Sequence, residues 1–359
     1  MDRTRPPFFV GVAPTAYWAD REVGAKVLSP GLDGDALRAW LSENLGFEGK
    51  PFSVETISGG RSNLTLGVEA GGRRLVVRRP PIGHFLPTAH DMSREYRVYR
   101  ALHGTGVPVP EAYALCEDES VIGAPFYVME RLDGIVPHEP GDLVSADAAA
   151  NARTGTQFAD VLAAIHGVDL EAAGLAGFGK PAGYLERQVS RWTDQWDRSK
   201  QADEPAIDAL AAHLRRTMPE QLATTLVHGD YRLGNVMLEA DGVGRIIAVF
   251  DWEMSTLGDP LSDVGYTLLW WGTTDRIAVH PSQGVADLPG FPSATQLLDR
   301  YAASAGRDVA EIGWYVALAA FKLAVIREGQ RATLRRAGQP SDSATGQPLA
   351  EWAMEFIWR

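Results

Sequence analysis

Strand-forming and helix-forming patterns come in two blocks along this chain rather than in alternation. Over residues 53–79 the runs SVETI, LTLGVEA and RRLVVRR are short, rich in β-formers and separated by Ser-Gly-Gly and Ala-Gly-Gly, the pattern of an antiparallel meander. A helical pattern over 93–102 follows, in which Tyr96, Tyr99 and Leu102, or Val98 and Leu102, share a face. The break Val107-Pro108-Val109-Pro110 ends it, and two more strand-like runs occupy 111–115 and 125–130. Beyond about Leu143 the spacing predicts helices over 148–166, 208–216, 263–271, 294–305 and 309–337, interrupted by short strand-like runs at 225–227 and 246–250. Strands first and helices after give an α+β architecture, since a parallel α/β sheet needs the two to alternate. The division falls near 130–134, separating a small β-rich part (1–130, with a loose Pro- and Gly-rich extension at its start) from a larger helical part (131–359). A chain of 359 residues accommodates two such lobes and buries a core without disulfides or metals.

Charge narrows the function classes. Lys and Arg total 34 against 46 Asp and Glu, a formal net charge of −12, and a general nucleic-acid binder needs the opposite balance. The acidity reads first as solubility and second as attraction for a cationic substrate. Cys116 is the only cysteine, so no intramolecular disulfide forms, a reducing compartment fits, and the thiol reads as structural or incidental. The N-terminus has no signal-length apolar run. The most apolar helical stretch, 314–326, is interrupted by Lys322 and is shorter than the ~18 residues of a membrane span. A cytoplasmic protein with neither nucleic-acid nor membrane partner is expected. His84, His90 and His138 show no metal-ligand spacing.

Four segments carry chemistry. In His228-Gly229-Asp230-Tyr231-Arg232-Leu233-Gly234-Asn235, Asp230 and Asn235 stand in a D-x-x-x-x-N pattern that sets a carboxylate beside an oxygen ligand, as phosphoryl transfer to a hydroxyl requires; a polar turn capping a hairpin is the other reading. The apolar run 246–250 then ends in Asp251-Trp252-Glu253. A carboxylate closing a buried strand is costly unless paired or metal-bound, and Asn235 with Asp251 makes an oxygen pair suited to Mg²⁺. In Leu257-Gly258-Asp259-Pro260-Leu261-Ser262-Asp263, Asp259 or Ser262 could cap the next helix, while Asp263 is placed to brace a neighbouring loop through its amides. Ser58-Gly59-Gly60-Arg61-Ser62-Asn63, between two strands, fits either a phosphate-covering loop or an ordinary hairpin turn.

S-G-G-x-S-N, H-G-D-Y-R-x-G-N and D-W-E-x-x-x-x-G-D-P-x-x-D-x-G, in this order, resemble the aminoglycoside phosphotransferase and choline-kinase-like family. The branch is similar to the kinase-like domain fused to some acyl-CoA dehydrogenases. The resemblance covers about residues 50–275 and implies a bilobal protein-kinase-like fold, ATP and Mg²⁺ as cofactors, and a small-molecule hydroxyl as acceptor. It implies that Asp230 is the catalytic base, with His228 supporting its loop, and that Asn235 and Asp251 hold Mg²⁺. Ser58, Gly59, Gly60, Arg61, Ser62 and Asn63 would cover the ATP phosphates. Arg78 stands where most kinases place a lysine, with Glu95 as its helix partner; a surface strand arginine and a solvent-facing glutamate are the plainer readings of the same two residues. Met129, Glu130 and Leu132 would form the hinge that meets adenine. Arg232 reaches either phosphate or Asp263. The acceptor is an aminoglycoside or, by the fused branch, a hydroxyacyl or other metabolite. A nucleotide-binding module without turnover, or a protein kinase lacking an A-P-E-type segment, are the rival classes.

Overall fold

In the computed structural model, the described residues are 32–48, 51–59, 63–81, 91–240, 244–271, 283–339 and 346–357. Gly60, Arg61 and Ser62 of the glycine-rich segment lie outside them, as do His84 and His90 and the whole of the N-terminal extension through residue 31.

The β-rich part opens on helix α1 (Gly34–Leu45), capped by Asp33, whose side chain accepts from the Asp35 and Ala36 amides. Strands β1 (Phe52–Gly59), β2 (Leu64–Ala70), β3 (Arg73–Arg79), β4 (Ala112–Cys116) and β5 (Phe126–Glu130) form one antiparallel sheet in the order β1-β2-β3-β5-β4. Helix α2 (Met92–Leu102) crosses between β3 and β4. Strand alternation sends Leu75 and Val77 of β3 to the face that packs on Leu37 and Leu41 of α1. It sends Val76 to the other face, with Val98, Tyr99 and Leu102 of α2. Arg78 shares that second face by period two, so a central strand carries a guanidinium into the interior.

The helical part follows β6 (Gly134–Ile135). Its helices are α3 (Ala148–His166), α4 (Tyr184–Ser199), α5 (Pro205–Arg216), α6 (Leu261–Trp270), α7 (Gln283–Ala286), α8 (Ala294–Ala305), α9 (Ile312–Arg336) and α10 (Gln347–Ile357). Two short ladders are set among them: β7 (Thr225–Val227) pairs with β10 (Thr256–Gly258), and β8 (Val236–Glu239) lies between β6 and β9 (Ile246–Val249). The architecture is the bilobal α+β arrangement anticipated above. One core runs from Val76, Tyr127 and Met129 of the sheet through α2 into the helices. Helix α4 was not anticipated: its heptad-like face, carrying buried Trp192 and Trp196, is hidden in a sequence otherwise dense in charge.

Helix α6 touches α9 backbone to backbone. A Cβ on Gly265 would stand 2.5 Å from the Tyr315 carbonyl carbon, so only glycine allows this approach. Gly265→Ala will destabilise the protein by about 1–3 kcal/mol, the usual penalty of overpacking; a denaturant midpoint equal to wild type would contradict this packing.

Candidate active site

The loop after β7 is held from three directions. Asp263, in the first turn of α6, is fully buried, and its carboxylate accepts the His228 amide on Oδ2 (2.6 Å) and the Gly229 amide on Oδ1 (2.7 Å). His166, at the end of α3, approaches Oδ2 through Nε2 (3.2 Å) and meets the Tyr301 hydroxyl through Nδ1 (2.8 Å). Burial pushes the Asp263 carboxyl up, but His166 and the loop amides outweigh it and leave it below the ordinary carboxylate range.

His228 is also fully buried. Its Nδ1 accepts from the Asp230 amide (3.2 Å), so its Nε2–H donates to the Phe250 carbonyl (2.8 Å). These two backbone partners define a neutral tautomer, and Trp252 packs on the ring at 4.6 Å. Built this way, the imidazole joins the Asp230 loop to the strand carrying Asp251 and serves as scaffold.

Gly229 has φ +87, and a Cβ there would meet the Met254 carbonyl oxygen at 2.8 Å, which fixes glycine between His228 and Asp230. Asn235 ends the turn. Its Nδ2 donates to the Asp230 carbonyl and to Asp230 Oδ2, both at 2.8 Å. Its Oδ1 is buried without a hydrogen-bond partner. The Phe250 amide donates to the Asn235 carbonyl (2.8 Å), and this bond brings Asp251 alongside. Asp251 has φ 66, the one non-glycine residue at positive φ among the described residues. Burial pushes the Asp230 carboxyl up; Arg232, a Tyr266 hydroxyl bond and Lys322 pull it down further, so it stays ionised at neutral pH.

Arg78 and Glu95 are each 1% exposed, which removes the surface readings of both. Arg78 Nε lies 3.3 Å from Glu95 Oε2, and its Nη2 donates to Asp251 Oδ1 at 3.3 Å. Burial raises the Glu95 carboxyl above its ordinary range, against the pull of Arg78. Next to Glu95, Arg94 donates to the Phe178 carbonyl (3.1 Å) and the Ser255 carbonyl (3.2 Å) and lies 4.1 Å over the Phe178 ring. Helix α2 is thereby fastened to the segment after Asp251. Arg232 does not turn to Asp263: its Nε donates to Asp230 Oδ2 (3.3 Å) and its guanidinium lies over Trp270 (5.5 Å).

The remaining sequence candidates are dispersed. Asp259 is buried and accepts from the Leu261 and Leu222 amides and the Tyr315 hydroxyl, so it ties α6 to α9 as well as serving the turn before α6. The Met129 side chain lies in the core. The Glu130 amide is used by Glu111 (2.8 Å) and the Arg131 amide by Arg74 (3.2 Å). Of the glycine-rich segment, Ser58 and Gly59 end β1 and buried Asn63 precedes β2. Cys116 is buried and free. Sequence reasoning missed Tyr266, Lys322 and His166 as parts of this site. Lys322 gave the one signal, a cation interrupting an apolar helical run.

Asp230 and Asn235 are thus bonded to each other, Asp251 is bonded to the buried Arg78, and the Phe250 amide on the Asn235 carbonyl links the two pairs. Residues 53–301 match the model of the APH phosphotransferase enzyme family. The chain belongs to that family. Mouse acyl-CoA dehydrogenase family member 10 is 36% identical to this phosphotransferase-family chain over 331 residues, which are 90% of this chain and 31% of the mouse protein. Human acyl-CoA dehydrogenase family member 11 is 33% identical over 341 residues, 91% of this chain and 43% of its own length. The chain thus spans under half the length of these relatives. A solved Ralstonia eutropha JMP134 protein, assigned provisionally as an aminoglycoside phosphotransferase, is 36% identical with a TM-score of 0.78, covering 91% of this chain and 98% of that one. A thermostable variant of aminoglycoside phosphotransferase APH(4)-Ia, in ternary complex with AMP-PNP and hygromycin B, is 19% identical and shares the fold at a TM-score of 0.59, covering 89% and 98%.

Among the described residues no three His, Cys, Asp or Glu side chains converge on one point, and no helix is long and apolar enough to cross a membrane. A metal here would be held by few protein ligands, and Mg²⁺ suits that arrangement because it keeps waters and shares phosphate oxygens. The unpartnered Asn235 Oδ1 beside Asp251 fits such an ion.

Proposed function

We propose that this chain is an ATP- and Mg²⁺-dependent phosphotransferase acting on a hydroxyl of a small metabolite, with a hydroxyacyl compound as the acceptor class ahead of an aminoglycoside. The observation that carries the reaction type is the convergence of Asp230, the buried and unpartnered Asn235 Oδ1, and Asp251, itself paired with Arg78. When bound, ATP and Mg²⁺ supply the transferable γ-phosphoryl group and neutralise the charge on its oxygens. Asn235 and Asp251 would hold the ion, and Arg78, anchored by Glu95, would grip phosphate; an arginine does so with a planar fork where a lysine offers a point charge. Asp230 orients the acceptor hydroxyl. Its Oδ2 already accepts from Asn235 and Arg232, so the hydroxyl proton passes to Oδ1. A carboxylate held ionised is a weak base, which suits a transition state where positioning and electrostatics carry most of the catalysis. Met129, Glu130 and Leu132 would hold adenine through the backbone, and the Leu132 amide would be the donor, since the Glu130 and Arg131 amides already donate to Glu111 and Arg74.

The acceptor class rests on the groups around Asp230. Asn235 and Arg232 donate to its carboxylate, and Lys322, Tyr266 and His228 also act on it. A polycationic antibiotic calls for an acidic wall there. The relatives that carry dehydrogenase names point the same way. The test is ATP consumption with Mg²⁺ against hydroxyacyl-CoA esters, hydroxy acids, amino alcohols and aminoglycosides. Turnover of a hydroxyacyl compound supports the reading. Efficient turnover of an aminoglycoside alone would replace the acceptor class, and ATP binding without turnover of any panel member would favour the nucleotide-binding module.

A further inference from the structure

Lys322 is a charge that the packing of the helical part does not require. It is half-buried on α9, flanked by the buried residues Ala319, Ala320, Phe321, Ala324 and Val325. An ammonium inside a fold is expensive unless compensated, and an apolar side chain of similar length would pack at no such cost. Here the compensation is built from three separate elements. Lys322 Nζ donates to the Gly229 carbonyl at 3.1 Å, lies 4.7 Å from the Tyr266 ring of α6, and lies 5.8 Å from the Trp192 ring of α4. The close α6–α9 approach at Gly265 is what lets a side chain two turns beyond Tyr315 reach the loop.

The carbonyl it grips belongs to the peptide joining Gly229 to Asp230. The N–H of that same peptide is the one that donates to His228 Nδ1. Gly229, with φ +87, has no Cβ to resist rotation of this peptide plane. The two ends of the plane are therefore held by side chains alone: His228 on the N–H, and Lys322, reaching from 93 residues away, on the carbonyl.

We propose that Lys322 is a positioning residue for Asp230, locking the Gly229–Asp230 peptide plane so that the carboxylate is presented to the acceptor in one orientation. The inference deepens the phosphotransfer reading and rests on it for Asp230's role. Its structural half stands apart from that reading: removing the cation frees the peptide whether or not phosphate is transferred.

The experiment uses the full chain with Lys322→Met, Lys322→Gln and Lys322→Arg. Amide hydrogen exchange over 228–235 is read first, without nucleotide or acceptor. The Met and Gln variants will exchange faster there by about tenfold or more, the equivalent of one charge-assisted hydrogen bond, while Lys322→Arg stays closer to wild type. Steady-state turnover is read second, with the acceptor the panel identifies. In Lys322→Met kcat will fall by about a hundredfold, the scale of a misplaced catalytic group, with KM for ATP unchanged, and Lys322→Arg will recover much of the loss. Unchanged exchange in a folded Met or Gln variant overturns the proposal. So does a fall in kcat matched by a rise in KM for ATP, or failure of both Met and Gln variants to fold, since either makes Lys322 a general support. Faster exchange in a protein whose wild type transfers no phosphate leaves the lock standing and discards the phosphotransfer reading.

Discussion

Asp230→Asn will lose about a thousandfold in kcat, within the range that general-base removal costs, while KM for ATP changes little. The amide cannot take a proton from the acceptor, yet it is the same size, and the backbone of residue 230 keeps its bonds to His228 and Asn235. The loop should therefore survive and only the chemistry fail. Steady-state ATP consumption separates this from a binding defect. A variant retaining a tenth of wild-type turnover would remove Asp230 from the role of base.

Asp263→Asn will destabilise the protein by about 3 kcal/mol or more, as breaking a buried charge network does. Both carboxylate oxygens accept backbone N–H groups, from His228 and Gly229. An asparagine can accept only one of them and must aim its own NH₂ at the other, leaving a buried donor facing a donor. If the NH₂ takes the Oδ2 place, it faces His166 as well as the His228 amide. The pH dependence follows from the depressed Asp263 carboxyl: its stabilisation is present above the unfolded carboxylate value and is lost as pH falls through the folded one. Denaturant midpoints of wild type and variant should differ most near neutrality and converge in acid. Equal midpoints at pH 7 would show that the network does not hold the loop.

The block order of strands and helices was legible because it depends on local periodicity, which the residues at 52–79 and 148–166 display openly. The motifs at 228–235 and 251–263 were legible because the loops that carry them are continuous in sequence. Tyr266, Lys322 and His166 were not, since each reaches the site only through a helix–helix or helix–loop contact. Lys322 is 93 residues from Gly229 and His166 is 97 from Asp263. Arg78 and Glu95 stood between two readings for a related reason. A charged residue on a strand or helix looks solvated until the opposing element is known, and here that element brings Asp251. Helix α4 was obscured because its apolar residues are diluted by six charged ones, although its buried face is regular.

The left-handed backbone at Asp251 sets two contributions to stability against each other at one position. An L-residue is held there against a local preference of about 1–2 kcal/mol, which glycine does not feel. Its carboxylate is also a partner of Arg78, a guanidinium that is 1% exposed, and taking a partner from a buried charge costs about 3–5 kcal/mol. The second quantity is the larger, so a screen for survival at high temperature will not return glycine at 251. The side chain that strains the backbone is one that lets a cation stay inside.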